Sequence, residues 1–261
     1  MKISNPTSRF KLSIKKGERV LEIGGGHNPH PRANVVVDKY VNEDGHRSGN
    51  LHVLSHQEFI EADGANLPFK DKAFDYVICC HVLEHVEDPA AFLTEMTRVA
   101  KRGYLEVPSL MGEYLAPKAS HTWVSIEQDE KIVVCEKAKI GMNKPTMDAG
   151  DVFLYHLPKN SLAYKTLMKT HGNLLTLRYE WQDSIDFEVN PALESLPMTK
   201  DGRWMPEMIL QTFPEKGILQ EALAFSKALF EVSTSFITNK FKGSKSSRID
   251  EKIGLGIPAS R

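Results

Sequence analysis

Residues Arg19–Asn28 have the sequence Arg-Val-Leu-Glu-Ile-Gly-Gly-Gly-His-Asn, a short apolar run that stops at three consecutive glycines. A short apolar run bounded by turn residues is typical of a strand buried on both faces of a parallel sheet. Glycines after such a strand let the backbone turn sharply and approach a ligand closely at the carboxyl end of the sheet. The stretch therefore predicts a strand and a ligand-binding loop, with a plain tight turn as the alternative.

Further apolar runs follow the glycine loop, and most of them end at a polar residue or a proline. Between the last two runs, Asp88 and Pro89 predict a helix start, because aspartate caps free N–H groups and proline suits the first helical position. Strand, helix and strand in sequence indicate an α/β fold with a Rossmann-like, mostly parallel sheet. The predicted strands are Val35–Val37, Phe59–Ala62, Phe74–Cys80 and Tyr104–Val107, and the helix is expected to end at Gly103.

The later part of the chain predicts an antiparallel hairpin, formed by His121–Ile126 and Lys131–Cys135, at the edge of this sheet. We divide the chain into an N-terminal extension, a core, a C-terminal cap and a flexible basic tail. The cap is expected to contain helices at 160–171 and 215–238 and a strand at 174–179, and to shape a substrate pocket. The four segments are 1–16, 17–137, 138–241 and 242–261.

Composition excludes several classes of function. The chain has 261 residues, with 33 Lys and Arg against 34 Asp and Glu, so it lacks the basic field of a nucleic-acid-binding protein. It has no apolar run of 18 residues and no signal-peptide stretch, so we expect a cytoplasmic protein. Three cysteines do not make a disulfide framework. Cys79 and Cys80 would face opposite sides of one strand, which predicts packing rather than metal binding.

The glycine loop differs from the phosphate-binding loops it superficially resembles. Pro29 breaks the G-x-G-x-x-G pattern of dinucleotide-binding proteins, and no Gly-Lys-Ser/Thr of a P-loop follows. Residues 24–34 leave room for only a short helix or none, which weakens the helix N-terminus that binds pyrophosphate. Asp38 at the next strand end could accept two ribose hydroxyls, and Asp63 could accept an adenine amino group. Each acid could instead be a solvated strand end, but three converging strand ends favour a nucleoside without phosphate.

Residues 17–110 resemble the class I S-adenosylmethionine-dependent methyltransferases. The resemblance lies in Glu22-x-Gly24-x-Gly26, in Ala62-Asp63-Gly64-Ala65, and most specifically in Leu67-Pro68-Phe69 through Phe74-Asp75 to His81-Val-Leu-Glu84-His85. This last run is similar to the branch that acts on small molecules, lipids and sugars. The chain departs from the family pattern at Asn28, where a third glycine is usual, and in its shortened first helix.

The resemblance implies S-adenosylmethionine as cofactor and a small-molecule, sugar or lipid-linked acceptor methylated on oxygen or nitrogen. If the acceptor is a hydroxyl, His81, His85 or His121 is the candidate base; packing or backbone hydrogen bonding is the alternative for each. The residues implied to bind the cofactor are Glu22, Gly24, Gly25, Gly26, Asp38, Asp63, Gly64, Ala65 and His81.

Three other functions stay open. A module that binds the cofactor without turnover would keep the same glycines and acids. His81-x-x-Glu84-His85 matches an inverted zinc-protease pattern, but His81 follows a strand directly, so no resident metal is expected. Pro29 disfavours a nicotinamide oxidoreductase. Aromatic residues between 225 and 241, followed by basic ones, are compatible with a membrane-surface helix or with core packing.

Overall fold

The computed structural model describes residues 1–41, 50–142, 147–196 and 204–253. Its main sheet has seven strands, in the order β1-β9-β6-β5-β2-β3-β4. The five strands from β6 to β4 are mutually parallel, and β9 and β1 add an antiparallel edge. The strands are β1 (Lys2–Ser4), β2 (Val20–Ile23), β3 (Val35–Asp38), β4 (Glu58–Glu61), β5 (Phe74–Cys80), β6 (Ala100–Pro108) and β9 (Thr176–Gln182). The predicted mostly parallel α/β sheet is confirmed.

The predicted hairpin exists, but it lies in a different place. Its strands, β7 (Trp123–Gln128) and β8 (Lys131–Glu136), pair antiparallel and form a separate three-stranded sheet with β10 (Phe187–Val189). The edge of the main sheet is instead β9, from the predicted cap, and β1, from the predicted N-terminal extension. The correction has a simple reason: β9 pairs with β6 from Arg102 to Pro108 and so occupies the edge at which the hairpin was expected.

The helices are few. The first, α1 (Pro89–Val99), begins as predicted: the Asp88 carboxylate accepts the N–H groups of Ala90 and Ala91. The chain enters β6 directly after α1, so Gly103 lies inside a strand and does not end the helix. The others are α2 (Leu110–Leu115), α3 (Leu157–Asn160), α4 (Leu162–Thr170), α5 (Pro206–Thr212) and α6 (Ile218–Ile253), with a π-helical turn at Asp151–His156 and 3-10 turns at Leu83–His85 and Leu193–Ser195.

The last helix extends into the segment predicted to be a flexible tail, so that part of the prediction is wrong. Helix α6 continues to Ile253, whereas the sequence predicts a loose segment from residue 242; residues 254–261 of that segment lie outside the described part of the chain. A helix already formed extends at little cost per residue, and the Lys, Arg and Glu residues of this stretch are good helix formers. None of the helices that the structure describes is long and apolar enough to cross a membrane.

The two faces of the main sheet are covered by different parts of the chain. Leu21 and Ile23 pack with helix α1, whereas Val20 faces the opposite side. Residues 24–34, all of which the structure describes, contain no helix, as the two prolines predict. Leu12 and Ile14 of the N-terminal segment cover the second face instead. The adjacent Cys79 and Cys80 pack on opposite faces, as expected for neighbours on one strand.

Candidate functional site

The order of the strands creates a crevice at the carboxyl end of the sheet. Strand β2 lies between β3 and β5. The strand after β3, which is β4, is added on one side of β2, and the strand after β5, which is β6, is added on the other side, so the strand order reverses at β2. Ligands of open α/β sheets bind at such a switch point. Two adjoining cavities occupy it here. Both are lined by Gly24, Gly26, His81 and His85, so they meet at the glycine loop.

The first, which we call the acid cavity, has a volume of about 290 Å³ and lies between the ends of β2, β3 and β4. Asp38 and Asp63 line it together with Gly64 and Ala65, as the sequence predicts. Gly24 has φ +71°, a left-handed conformation, and a side chain there would collide with Val82. The backbone can follow this path only with glycine, so the loop packs closely against Val82 at the wall of the cavity.

The two acids differ in their contacts. Asp38 accepts the N–H of Tyr40 at 3.1 Å. Asp63 accepts the N–H of Ala65 at 2.9 Å and pairs with Lys39 at 2.8 Å. Because desolvation is outweighed by the bonds from Lys39 and Ala65, the pKa of Asp63 lies below its usual value. Asp63 is therefore a carboxylate, and both acids face a cavity where an oxygen can accept hydroxyl or amino hydrogens of a nucleoside.

Glu22 occupies a different place from the one that the resemblance implies. It lies on the second face of the sheet, 1% exposed, and lines neither cavity. Its carboxylate accepts Arg9 Nη2 at 2.9 Å and the N–H of His30 at 2.5 Å. Arg9 also donates to the carbonyl of Asn28 at 3.1 Å. Glu22 thus holds the glycine loop against the N-terminal segment, and Arg9 was missed because nothing in its sequence context marks it.

Burial raises the pKa of Glu22 from 4.5 to about 7, against the opposing effects of His30 and Arg9. Between these values the folded protein binds a proton that the unfolded chain releases. The free energy of unfolding should therefore fall as pH rises through this interval, by about 3 kcal/mol in total. Glu22→Gln should remove that contribution. We expect the difference between wild-type and variant stability, measured by urea unfolding, to change between pH 5 and pH 8.

The matched control is Glu58→Gln, an exposed carboxyl at the start of β4. Its stability curve should stay parallel to that of the wild type across the same pH range. If the free energy of unfolding has the same pH slope in Glu22→Gln and in the wild type, the buried carboxyl of Glu22 does not cause the pH dependence of stability.

His81 follows β5 directly and has φ +56°, an uncommon conformation for a non-glycine residue. Its Nδ1 lies 3.2 Å from Glu84 and its Nε2 3.4 Å from Glu106. Desolvation by itself would lower the pKa of His81, but the hydrogen bonds to Glu106 and Glu84 outweigh it and raise the pKa to about 9. His81 is thus a protonated group held between two carboxylates.

The second cavity, which we call the histidine cavity, has a volume of about 450 Å³ and contains all three histidines named from the sequence. Thr122 donates its N–H to the Glu84 carbonyl at 2.9 Å, which joins the hairpin to the 3-10 turn. This contact brings the ring of His121 to 4.7 Å from that of His85. The three histidines are therefore together at the junction with the acid cavity.

His121 belongs to a buried cluster with Glu113 and Lys137, which the sequence does not predict. Its Nδ1 lies 2.6 Å from Glu113, and Lys137 pairs with the other oxygen of Glu113 at 2.5 Å. Burial alone would raise the pKa of Glu113, but His121 and Lys137 outweigh it and keep the pKa below its usual value. Glu113 lies on α2, a short helix that our sequence patterns did not predict, so no signal pointed to it.

Comparison with known proteins agrees with this geometry. Residues 34–105 match a family model described as "Methyltransferase domain". Demethylmenaquinone methyltransferase of Corynebacterium urealyticum is 34% identical over 98 residues, which are 37% of this chain and 43% of that protein. Norajmaline N-methyltransferase of Rauvolfia serpentina is 38% identical over 76 residues, which are 29% of this chain and 25% of that protein. The chain thus spans less than half the length of both relatives.

Among solved structures, a SAM-dependent methyltransferase of Methanosarcina mazei has 22% identity and a TM-score of 0.29, covering 39% of this chain and 57% of that one. The domain match and the curated relatives support a class I S-adenosylmethionine-dependent methyltransferase domain in this part of the chain. The methyl donor of this class is S-adenosylmethionine. The residues around the acid cavity fit it, because they combine a glycine loop with carboxylates for hydroxyl and amino groups.

Proposed function

We propose that this chain transfers a methyl group from S-adenosylmethionine in the acid cavity to an acceptor in the histidine cavity. The observation that carries the proposal is the shared wall: Gly24, Gly26, His81 and His85 line both spaces. Methyl transfer is an in-line displacement that depends on holding two reactants in contact and aligned. Two cavities that meet at a loop without side chains supply that contact.

The residues that line the acid cavity each have a role in binding the cofactor or in positioning the loop after β5. Asp38 accepts the ribose hydroxyls, while Asp63 and the Ala65 backbone hold the adenine. The bound sulfonium supplies the methyl group when the cofactor is present. His81, fixed between Glu84 and Glu106, positions the loop after β5. Since His81 already donates to two carboxylates, His85 and His121 are better placed to handle a proton of the acceptor.

The test is binding of S-adenosylhomocysteine by calorimetry, followed by transfer of labelled methyl from S-adenosylmethionine to a panel of hydroxyl and amine acceptors. The proposal expects one binding site per chain and a labelled product. Binding without any product would favour a regulatory module that binds the cofactor without turnover. Absence of binding would overturn the proposal.

A third space, which we call the outer groove, lies between α4 and α6 and has a volume of about 1060 Å³. It adjoins the histidine cavity, since Arg9, Leu154, Leu175 and Thr176 line both. Its walls combine apolar side chains with five cationic and two anionic ones, a composition that suits an elongated acceptor with an apolar part and an anionic group. The apolar residues include Phe153, Leu154, Tyr164, Met168 and Val232, the cationic ones are Arg9, Lys159, Lys165, Lys169 and Arg178, and the anionic ones are Glu106 and Glu231, which pair with Arg178 and Lys169.

A variant at the junction tests this acceptor class. Leu154→Glu should weaken binding of dodecyl phosphate, a simple anionic amphiphile, by at least about 10-fold, because it replaces apolar surface with a repelling charge. Calorimetry with the wild type and the variant measures the effect. Tyr155→Glu is the matched control: Tyr155 is the next residue, 56% exposed, and lies outside the groove lining. Equal losses in both variants, or no binding to the wild type, would contradict an amphipathic acceptor.

A further inference from the structure

Three side chains in the histidine cavity lie close enough together to share one ligand. Glu84, His85 and His121 each offer one ligand atom, and the three atoms lie within 4.8 Å of one another. Two of the residues are neighbours in the 3-10 turn after β5, and the third comes from the segment before β7. The sequence pattern His81-x-x-Glu84-His85 does not predict this grouping, because it pairs His85 with the wrong histidine.

The carboxylate of Glu84 has one oxygen without a partner. Glu84 is 3% exposed, and its Oε2 is buried without a hydrogen bond, while Oε1 faces His81. A buried carboxylate oxygen left unpaired is strongly unfavourable, and native proteins rarely retain one without a ligand or ion to satisfy it. Since Glu84 also lines the histidine cavity, an ion can reach it from there.

Both histidines carry the supporting contacts of metal ligands. His121 Nδ1 lies 2.6 Å from the Glu113 carboxylate, and His85 Nδ1 lies 3.0 Å from the carbonyl of Ser120. A metal-bound histidine almost always donates its second ring N–H to a carboxylate or a backbone carbonyl, which fixes the tautomer and the ring orientation. Lys137 pairs with Glu113 and so balances the charge of this outer carboxylate.

We infer that Glu84, His85 and His121 form a binding site for a divalent transition-metal ion, with Zn²⁺ as the best match. Two imidazoles and one carboxylate are the ligand set of catalytic zinc sites, which keep a fourth position open. Tetrahedral zinc ligands lie about 3.4 Å apart, so binding draws the three atoms together by roughly 1 Å. All three residues line the histidine cavity, from which a fourth ligand would come. This inference replaces the expectation, drawn from the sequence, that the chain holds no metal.

The site has a consequence for catalysis that rests on the proposed function. A metal ion at this wall would lower the pKa of an acceptor hydroxyl bound beside it. His85 and His121 would then act as ligands and not as bases. Metal binding itself needs no methyl transfer, so its test stands whether or not the chain proves to be an active methyltransferase.

The experiment uses the full chain without an affinity tag, stripped with a chelator and titrated with Zn²⁺ against a chromogenic chelator. We expect one equivalent bound with a Kd of about 1 μM or tighter. Co²⁺ should give visible ligand-field bands of a four-coordinate site. Glu84→Gln and His121→Asn should each weaken zinc binding by at least about 100-fold, and Glu113→Gln by about 10- to 100-fold.

His56→Asn is the control, because His56 is exposed, contacts the Pro31 carbonyl and lies outside the histidine cavity lining. It should leave stoichiometry, affinity and the cobalt spectrum unchanged. Circular dichroism checks that the variants fold, and His85→Asn, at a partly exposed position, replaces any variant that does not. No binding of zinc to the wild type, or binding that the ligand variants leave unchanged, overturns the inference.

Discussion

Asp38→Ala is expected to weaken binding of S-adenosylhomocysteine by at least about 100-fold. A carboxylate that accepts two ribose hydroxyls makes two hydrogen bonds to a charged group, together worth about 3 kcal/mol or more. Asp38 ends β3 and lines the acid cavity, where its carboxylate also accepts the Tyr40 N–H. Calorimetry with the full chain measures the loss.

Glu61→Ala provides a closely matched control. Glu61 lies directly opposite Asp38 in the β3–β4 pairing, at the end of its own strand, but it is exposed and lies outside the acid cavity lining. Its removal should change affinity by less than about 2-fold, since a solvated carboxylate adds little. If both variants bind equally well, the ribose contact assigned to Asp38 does not exist.

Gly24→Ala should lower the free energy of unfolding by about 3 kcal/mol and abolish detectable binding of S-adenosylhomocysteine. Part of the loss is backbone strain, because φ is +71° and an alanine there is unfavourable by about 1–2 kcal/mol. The rest comes from collision of the new Cβ with Val82, which forces a packed loop apart. Urea unfolding and calorimetry measure the two effects.

Gly17→Ala separates these two causes. Gly17 has φ +85°, yet a side chain there meets nothing within 4 Å. It should show the strain alone and keep its ligand affinity. Adding Val82→Ala to Gly24→Ala removes the colliding methyl groups and should recover part of the lost stability. If Gly17→Ala and Gly24→Ala lower the free energy of unfolding equally, the close approach to Val82 does not contribute to the loss.

Local rules in the sequence predicted the elements that depend on neighbouring residues. The Asp88 cap and Pro89 mark the start of α1 because both act within one turn. The glycine loop, Asp38 and Asp63 were predictable because parallel strands bring their carboxyl ends to one edge. The order of the strands decides the rest of the acid cavity.

Features that depend on distant contacts were not predictable in this way. Nothing local in β7 and β8 says that β9 will occupy the edge of the main sheet. Glu113 becomes significant only when the fold brings His121 and Lys137 to it across 8 and 24 residues of chain. Arg9 is likewise one basic residue among several until it meets Glu22. These side chains acquire their roles from tertiary contacts, which a periodicity pattern does not encode.

The pairing of β1 with β9 has a consequence for synthesis in the cell. Lys2 pairs with Trp181, so β1 can join the main sheet only after β9, which lies far along the chain, has been synthesised. The hydrogen bond from Ser13 to Glu180 of β9 likewise forms only then, so this anchor of the N-terminal segment is added after the parallel strands have been made. A chaperone that shields this segment would act in the interval before β9 is made.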